Sequence, residues 1–318
     1  MRPFRFGVLV ERFGDGDDVL RTAARAEELG YATLLIRDHL VAEPFGHQLA
    51  PLTTLAAVAA TTRRLRVGTL VLSVDYRHPA VLAKEIATLD RLSGGRLELG
   101  LGAGWAKDEY ERVGIPFDRD GRRVERFAEA LRVLKGIFAD DPLTFDGEHY
   151  RFAGYDGFPK PVQRPHPPFL VGAGGRRMLS IAAREADTIG LLAAPIAGGV
   201  IAYDHDPSTR APERMTQQID WVREAAGERF GRIELSTMVS PVVASDRRAA
   251  AAALARARGW TGLEPEAVLA MPSILVGSAD AMEDDLRARR ERLGLSYLVV
   301  RDRDMEQFAP VVERLTGR

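Results

Sequence analysis

Short apolar runs alternate with longer stretches in which apolar residues recur every three or four positions. The short runs are typical of strands covered on both faces, and the longer period is typical of helices packed on one side. This alternation predicts parallel βαβ units. The predicted strands are Phe4–Val10, Thr33–Ile36, Leu65–Leu72, Leu97–Leu101, Phe169–Val171, Thr188–Leu192, Leu235–Val243 and Tyr297–Arg301. Eight such strands fit one closed (β/α)8 barrel with insertions, a single domain over residues 1–318.

The predicted helices carry apolar stripes and recognisable ends. Val19–Leu29 has helical spacing, and Arg122–Phe138 is a long amphipathic helix. Between them, Pro79 suits the first turn of a helix because its missing N–H is not needed there. The stripe of this helix ends at Leu92, and Gly94-Gly95 stops it.

Two segments interrupt the alternation. Residues 140–168 contain six prolines and two short strand-like pieces, and they form a predicted excursion between strands four and five. Residues 193–213 show neither helical nor strand period. An irregular segment of this length in a compact domain is often functional, so we expect a mobile lid loop at the carboxyl end of the barrel.

Composition narrows the class of protein. The 44 Lys+Arg and 45 Asp+Glu give a net charge of −1, and no basic stripe of the kind that nucleic acids select is present. No apolar run approaches the length of a membrane span, and the first residues do not resemble a signal peptide, so we expect a cytoplasmic protein. The absence of cysteine excludes disulfides, thiolate-bound zinc and thiol nucleophiles.

Candidate chemistry lies where barrel strands end, because barrel enzymes carry their active sites at the carboxyl ends of the strands. Asp38 and His39 follow strand two, and a histidine there suits proton transfer because it titrates near working pH. Strand four runs into Gly102-Ala103-Gly104, where backbone amides can approach a ligand closely. Strand five runs into Gly174-Gly175 and a helix start with Arg177, a combination that suits a phosphate.

One stretch, YRHPAVLAKEIATLDRLSGGRLELGLGAGWAKDEY from Tyr76 to Tyr110, resembles the signature of the luciferase-like superfamily. Its members are TIM barrels that use FMN or the deazaflavin coenzyme F420. The longer stretch from Arg66, continuing into Gly114–Phe117, is most similar to actinobacterial proteins assigned as F420-dependent. The resemblance therefore implies a bacterial luciferase-like (β/α)8 TIM barrel and an oxidoreductase.

The resemblance also implies roles for single residues. Asp38 is expected to contact the coenzyme and His39 to donate a proton. Leu70–Val71 is expected to be a non-prolyl cis peptide that supports the deazaflavin ring, with Ser73 beside it. The rest of the expected cofactor-binding set is Ala103, Gly104, Asp108, Gly174, Gly175, Arg177 and Met178, of which Gly174, Gly175 and Arg177 hold the phosphate of the tail.

Trp105 marks a departure from the family pattern. F420-dependent relatives that oxidise sugar phosphates carry a glutamate at this position, so their full proton-transfer scheme does not carry over. Trp105 is expected to shape a pocket for an aromatic substrate or for the coenzyme. Glu109, four residues on, is the alternative candidate for a catalytic carboxylate.

The predicted function is hydride transfer between reduced F420 and a C=C, C=N or C=O bond of a small organic substrate. An FMN-dependent monooxygenase that uses reduced FMN and O₂ is the nearer alternative, and a flavin-binding barrel without turnover is the more distant one. Family members often form homodimers through the helices that flank strands two to four. Here Val81–Leu92 and Arg122–Phe138 are expected to supply the apolar surface.

Overall fold

A computed structural model describes residues 1–11, 13, 16–192, 196–197, 200–201 and 206–318. The strands, in chain order, are β1 (Arg5–Val10), β2 (Thr33–Ile36), β3 (Arg66–Thr69), β4 (Leu72–Ser73), β5 (Leu97–Gly102), β6 (Leu143–Asp146), β7 (Arg151–Tyr155), β8 (Phe169–Ala173), β9 (Thr188–Leu191), β10 (Ile196–Ala197), β11 (Val200–Ile201), β12 (Glu234–Met238), β13 (Ser240–Val243), β14 (Ile274–Gly277) and β15 (Leu295–Arg301). The helices are α1 (Gly16–Glu28), α2 (Pro51–Thr61), α3 (Pro79–Leu92), α4 (Lys107–Val113), α5 (Asp120–Phe138), α6 (Arg176–Glu185), α7 (Pro212–Ala226), α8 (Arg247–Ala257), α9 (Pro265–Ala270), α10 (Ala279–Leu293) and α11 (Met305–Leu315).

The barrel is a closed ring of parallel strands. Its strand order is β3-β2-β1-β15-β12-β9-β8-β5, and β3 pairs back with β5 through Val67 and Leu97. The predicted third strand is divided into two. Its first part, β3, ends at Thr69, and its second part, β4, pairs with the end of β5. The eight predicted strands thus all contribute to the ring in the described part of the chain, and the TIM-barrel prediction is confirmed.

The seventh predicted strand extends beyond the end of the observed barrel strand. Only Glu234–Met238 belongs to the barrel, and the chain then leaves it as β13, which pairs in parallel with the unpredicted strand β14. Trp260 and Met271, together with apolar side chains of α8 and α9, form a small separate core against this pair. The carboxyl end of β12 is therefore bordered by an added two-stranded layer.

The two interruptions differ in structure. The excursion between β5 and β8 contains an antiparallel hairpin of β6 and β7, at the positions of the two predicted strand-like pieces. The segment predicted as an irregular lid contains regular structure at its end, because Pro207–Arg210 forms a 3-10 turn and α7 begins at Pro212. A role as a lid stays a prediction. Inside the predicted lid, residues 193–195, 198–199 and 202–205 lie outside the described residues.

The two ends of the barrel are built differently. At the amino end, Arg5 pairs with Glu98 at 2.5 Å and with Glu234 at 2.6 Å, and Arg66 binds the same Glu98 at 2.7 Å. Above these ion pairs the interior is filled by a buried cluster that includes Leu9, Leu35, Leu170, Tyr297 and Val299. The amino end is thus closed by ion pairs and packed side chains, which leaves the carboxyl end for a ligand.

Among the described residues, no helix is both long enough and apolar enough to span a bilayer.

Much of the apolar surface expected for a dimer is used within the chain. The stripe of α5, with Phe127, Leu131 and Leu134, is buried against the barrel and cannot meet a partner. On α3, by contrast, Val81 is 55% and Leu92 is 68% exposed. These two residues lie three helical turns apart and therefore share one face. Homodimer formation stays a prediction, and α3 is the helix on which it rests.

We expect wild-type protein to scatter light as twice the 34.9 kDa chain at micromolar concentration, and Leu92→Glu to weaken that association because it charges the apolar face of α3. Val243→Glu is the matched control, since Val243 is 55% exposed on β13. A wild-type mass of one chain, or equal effects of the two variants, would contradict this interface.

Candidate active site

A cavity of about 610 Å³ opens at the carboxyl ends of the barrel strands. This volume lies within the range of small-molecule and cofactor pockets. Its walls come from the ends of β2, β3, β5, β8, β9, β12 and β15 and from the loops that follow them. Candidate site residues were predicted from the sequence at several of these strand ends.

Asp38 lies at the end of β2 with its carboxylate fully engaged. Arg77 binds both oxygens, with Nη1 at 2.7 Å from Oδ2 and Nη2 at 3.0 Å from Oδ1. The backbone N–H of Ser73 donates to the same Oδ2 at 3.1 Å. Such a two-pronged ion pair fixes both side chains. Asp38 therefore ties the end of β2 to the segment after β4, and it lines the cavity as a paired carboxylate.

His39 is held by Glu109, which reaches it from α4. His39 Nδ1 lies 2.9 Å from Glu109 Oε2, and the Leu40 N–H donates to Oε1. Tyr76 adds a further hydrogen bond to the Glu109 side chain. The residue Glu109 is 1% exposed. A carboxylate on Nδ1 favours the imidazole tautomer that carries its proton on that nitrogen and sets the orientation of the ring.

The electrostatics of this pair follow from its contacts. Burial raises the pKa of Glu109, but the hydrogen bonds from His39, Leu40 and Tyr76 outweigh burial, so the pKa lies below its usual value. Burial and the adjacent Glu109 carboxylate raise the pKa of Tyr76. Glu109 is therefore an anion and Tyr76 a neutral donor at neutral pH.

Aromatic rings surround the imidazole. The centroid of His39 lies 4.9 Å from that of Phe45 and 5.7 Å from that of Trp105, the latter edge to face. Phe45 and Trp105 are themselves 6.3 Å apart. All three rings line the cavity. The imidazole thus faces an apolar, flat-walled space.

The cavity wall beneath these rings is made of closely approaching backbone. The Leu70–Val71 peptide is cis, as the resemblance implied. A Cβ built on Gly102 would lie 2.7 Å from Val71 Cγ2, and one built on Gly104 would lie 1.7 Å from the Tyr110 hydroxyl. Gly104 also has φ +71, a conformation that favours glycine. Glycines are required here, and they leave a bare backbone surface beside Leu70 and Val71.

Ser73 is fixed from behind the cavity. Its hydroxyl lies 2.9 Å from that of Tyr110, which bonds Asp75 Oδ2 at 3.0 Å. Arg126 closes the network on both oxygens of Asp75, with contacts of 2.7 and 2.9 Å. Ser73 is therefore held in one position on the cavity wall.

The amino end of α6 forms another part of the wall. Gly174 and Gly175 precede the helix, and Arg176, Arg177 and Met178 begin it. The first N–H groups of a helix have no acceptor within it, so they and the helix dipole suit an anion. The two arginines form exposed ion pairs, Arg176 with Glu224 at 3.0 Å and Arg177 with Glu125 at 2.8 Å.

Most of the predicted site residues meet at this cavity. Those that line it are Asp38, His39, Leu70, Val71, Ser73, Ala103, Gly104, Trp105, Glu109, Gly174, Gly175, Arg177 and Met178. Asp108 does not line it, because its side chain is 78% exposed and lies 3.5 Å from Arg112 one helical turn on. On a helix, neighbouring residues point about 100° apart, so Glu109 faces inward where Asp108 faces solvent.

Sequence reasoning assigned no role to several residues of the wall. Tyr76 carries no pattern of its own, although it begins the signature stretch. Phe45 and Arg210 come from irregular segments that show no period. Arg37 lies in a region that the strand-end rule selects, but it was given no role there. Arg301 ends a predicted strand, and the same rule could have selected it.

The wall fits a flavin-type cofactor by its own features. The bare backbone at Gly102 and Gly104 accepts a flat ring system, since any side chain there would collide with its neighbours. The amino end of α6 can accept a phosphate at another part of the same cavity.

Comparison with known proteins gives the family setting. The sequence profile described as luciferase-like monooxygenase matches residues 3–312. An FMNH(2)-dependent dimethylsulfone monooxygenase of Pseudomonas putida is 38% identical over 131 residues, which are 41% of this chain and 36% of that protein. An F420-dependent glucose-6-phosphate dehydrogenase of Kineococcus radiotolerans is 35% identical over 193 residues, 58% of this chain and 56% of that protein. The chain thus spans between about one third and somewhat more than half of the length of these relatives.

A solved structure extends the likeness to the whole fold. An F420-dependent secondary alcohol dehydrogenase, in complex with an F420-acetone adduct, superposes with a TM-score of 0.74 at 18% identity. The match covers 98% of each chain. At this identity the likeness concerns the barrel architecture.

The Glu109 contacts predict a pH-dependent contribution to stability. A carboxylate whose pKa is lowered on folding stabilises the native state above its usual pKa, here 4.5, and this contribution is lost as the pH falls through the lower native value. We expect Glu109→Gln to lower the free energy of unfolding by about 1–3 kcal/mol near neutral pH, because donors lose their anionic acceptor. The deficit should shrink below pH 4.5.

Urea unfolding of both proteins from about pH 6 to about pH 3.5 measures this deficit. Glu111→Gln is the matched control, since Glu111 lies on the same helix with its side chain 60% exposed, and its effect should stay within about 0.5 kcal/mol. A deficit that is constant over this pH range would refute the assigned role of the Glu109 charge.

Proposed function

The chain belongs to the luciferase-like monooxygenase family, and we propose that within it the protein is an F420-dependent oxidoreductase. Its reaction is hydride transfer between the reduced coenzyme and a C=C, C=N or C=O bond of a small organic substrate. The observation that carries the proposal is the His39–Glu109 pair, 2.9 Å apart at the cavity wall. Reduction of a double bond needs one proton for every hydride, and this pair is suited to supply it.

Two parts of the cavity wall would hold the cofactor: the exposed backbone beside Val71 and the amino end of α6. Leu70, Val71, Ala103 and Gly104 would carry the ring system, and Gly174 and Gly175 with Arg177 would take the phosphate. When bound, reduced F420 supplies a hydride without one-electron oxygen chemistry. The 35% identical F420-dependent glucose-6-phosphate dehydrogenase supports this choice of coenzyme.

Side chains of this protein would then have separate roles in proton transfer. His39 Nδ1 is occupied by Glu109, so the other ring nitrogen is the atom that exchanges a proton with the substrate. Glu109 acts through His39, because its oxygens already accept bonds from His39, the Leu40 N–H and Tyr76. Glu109 is thus a positioning residue and His39 the catalytic one. Phe45 and Trp105 limit the access of water to the imidazole.

A monooxygenase of the same family that uses reduced FMN and O₂ is the second candidate. Its support is the 38% identical FMNH(2)-dependent dimethylsulfone monooxygenase. The bare backbone beside Val71 would accept either ring system, since it presents no side chain that selects between them. The choice of cofactor therefore has to be measured.

His39→Ala should fold and keep its cofactor affinity, but lose roughly 10²–10⁴ in turnover with a substrate of the wild type, because the general acid is gone. Stopped-flow oxidation of reduced F420 under single-turnover conditions measures the step directly. His47→Ala is the control, since His47 is an exposed histidine near the same loop. A His39→Ala rate equal to that of wild type at saturating substrate would remove His39 from the mechanism.

F420 should bind more tightly than FMN, and Arg177→Ala should weaken F420 binding roughly ten- to a hundred-fold by removing a charge-assisted contact. Glu125→Gln should act in the opposite direction, because it releases Arg177 from its 2.8 Å ion pair. Fluorescence titration with both cofactors measures these affinities. Arg151→Ala, which removes an exposed ion pair on β7, is the control.

Two results would count against these assignments separately. Tighter binding of FMN than of F420 by the wild type would favour the monooxygenase. Unchanged F420 affinity in Arg177→Ala would refute the role of Arg177 and leave the cofactor assignment in place.

A further inference from the structure

Gln218 is a buried polar side chain beside the part of the cavity wall that precedes α6. It belongs to α7, where it shares a buried stripe with Met215, Ile219 and Val222. The residue is 1% exposed, and it does not line the cavity. An apolar side chain would serve packing on this stripe at least as well, because burying an amide costs free energy. The amide of Gln218 therefore points to a role beyond packing.

The amide nitrogen of Gln218 donates to two carbonyl oxygens at the carboxyl ends of neighbouring barrel strands. One bond goes to the Gly174 carbonyl at 3.0 Å, and the other goes to the Leu192 carbonyl at 2.9 Å. Both carbonyls are acceptors, so the nitrogen of the amide must face them and not its oxygen. Among the described residues, Gln218 Oε1 is buried without a hydrogen-bond partner. The two carbonyls thus set the orientation of the amide.

The contact with Leu192 ties Gln218 to the frame of the barrel. Leu192 follows β9, and its N–H donates to the Ala173 carbonyl at 3.0 Å, which continues the pairing of β8 with β9. The position of Leu192 is therefore fixed by the sheet. From this fixed point Gln218 reaches Gly174, the first residue after β8, and holds its carbonyl in one direction.

The bond to Gly174 orients a whole peptide group. The peptide between Gly174 and Gly175 is trans, so its C=O and its N–H point in opposite directions. Its carbonyl points at Gln218, which lies outside the cavity, whereas its N–H belongs to Gly175, which lines the cavity. Gly175 precedes α6, so this N–H has no acceptor within that helix. A bond that turns the carbonyl away from the cavity thus turns the N–H toward it.

A peptide between two glycines needs such a restraint. Neither Gly174 nor Gly175 carries a Cβ, so few steric barriers limit the rotation of the peptide between them. Without the amide of Gln218 this peptide would be free to turn, and the Gly175 N–H would lose its fixed direction. The wall beside Leu70 and Val71 lies at another part of the cavity, so its contacts with a ring system should not change.

We propose that Gln218 is a positioning residue for the cofactor phosphate: by holding the Gly174 carbonyl, it aims the Gly175 N–H at a phosphate oxygen. Charged phosphate oxygens are strong acceptors for backbone N–H groups. The inference rests on the proposed function in placing a phosphate at the amino end of α6, but it holds for either cofactor. Gln218 itself does not touch the ligand.

The test measures how much the phosphate contributes to binding. FMN differs from riboflavin only in the phosphate, and F420 differs from 7,8-didemethyl-8-hydroxy-5-deazariboflavin in the phosphate and the tail attached to it. Fluorescence titration gives the dissociation constant of each compound, and the ratio within a pair gives the phosphate contribution. In the wild type, the compound with the phosphate should bind roughly a hundred-fold more tightly than its partner.

Gln218→Met keeps the approximate shape of the side chain and removes both hydrogen bonds. The ratio should fall about ten-fold, because one charge-assisted hydrogen bond to the phosphate is lost. The affinity for the compound without phosphate should change less than about two-fold, since the ring is bound elsewhere in the cavity. A merely structural role of Gln218 would instead weaken both compounds alike and leave their ratio unchanged.

Gln217→Met is the matched control, because it makes the same substitution at an exposed position of α7, where Gln217 bonds Arg214. It should keep the wild-type ratio. If Gln218→Met does not fold, Gly175→Pro decides, because proline removes the N–H itself. A Cβ at Gly175 would meet nothing within 4 Å, so there is space for this change. The ratio should fall about ten-fold in that variant too.

The proposal is overturned if Gln218→Met or Gly175→Pro keeps the wild-type ratio, including the case in which both compounds weaken alike. A wild-type ratio near one would also overturn it, together with the phosphate site at α6. Tighter binding of FMN than of F420, with a ratio that still depends on Gln218, would instead overturn the proposed cofactor and leave the role of Gln218 standing.

Discussion

The contact between Thr69 and Gly100 is the constraint on which the site depends. A Cβ on Gly100 would lie 1.8 Å from the Thr69 carbonyl oxygen, so only glycine allows β3 and β5 to meet there. The Thr69 hydroxyl then bonds both backbone groups of Gly100, donating to its carbonyl at 2.8 Å and accepting from its N–H at 3.0 Å. This seam closes the barrel and directs the chain after Thr69 inward, which places Leu70 and Val71 on the cavity wall.

Ion pairs and hydrogen bonds around this seam fix the side chains of the site. Arg77 fixes Asp38, His39 and Tyr76 fix Glu109, and Arg126 fixes Asp75. Each pair joins two different segments of the chain, so the geometry of the site is set by side chains that are themselves held in place. Because ion pairs in a sheltered cavity are weakly screened by salt, these contacts keep their strength where exposed pairs such as Arg176–Glu224 do not.

The sequence predicted the barrel because its strands are short apolar runs that are buried on both faces, as in Leu97–Leu101. It did not predict β14, because eight other runs already fill a closed barrel and Ile274–Gly277 pairs outside that ring. It did not predict the end of β12, because apolar residues continue into β13. The strand-end rule identifies residues that directly follow strands, such as His39. It does not identify Phe45, because Phe45 meets His39 only through a loop whose path depends on the folded chain.

The cavity combines a wall of exposed backbone with a few projecting side chains. The bare backbone beside Val71 and the amino end of α6 are made by glycines and helix geometry, and neither feature selects a reaction. Selectivity for a reaction must therefore come from side chains that project into the remaining space. In this chain those include the imidazole of His39 and the aromatic rings of Phe45 and Trp105 beside it.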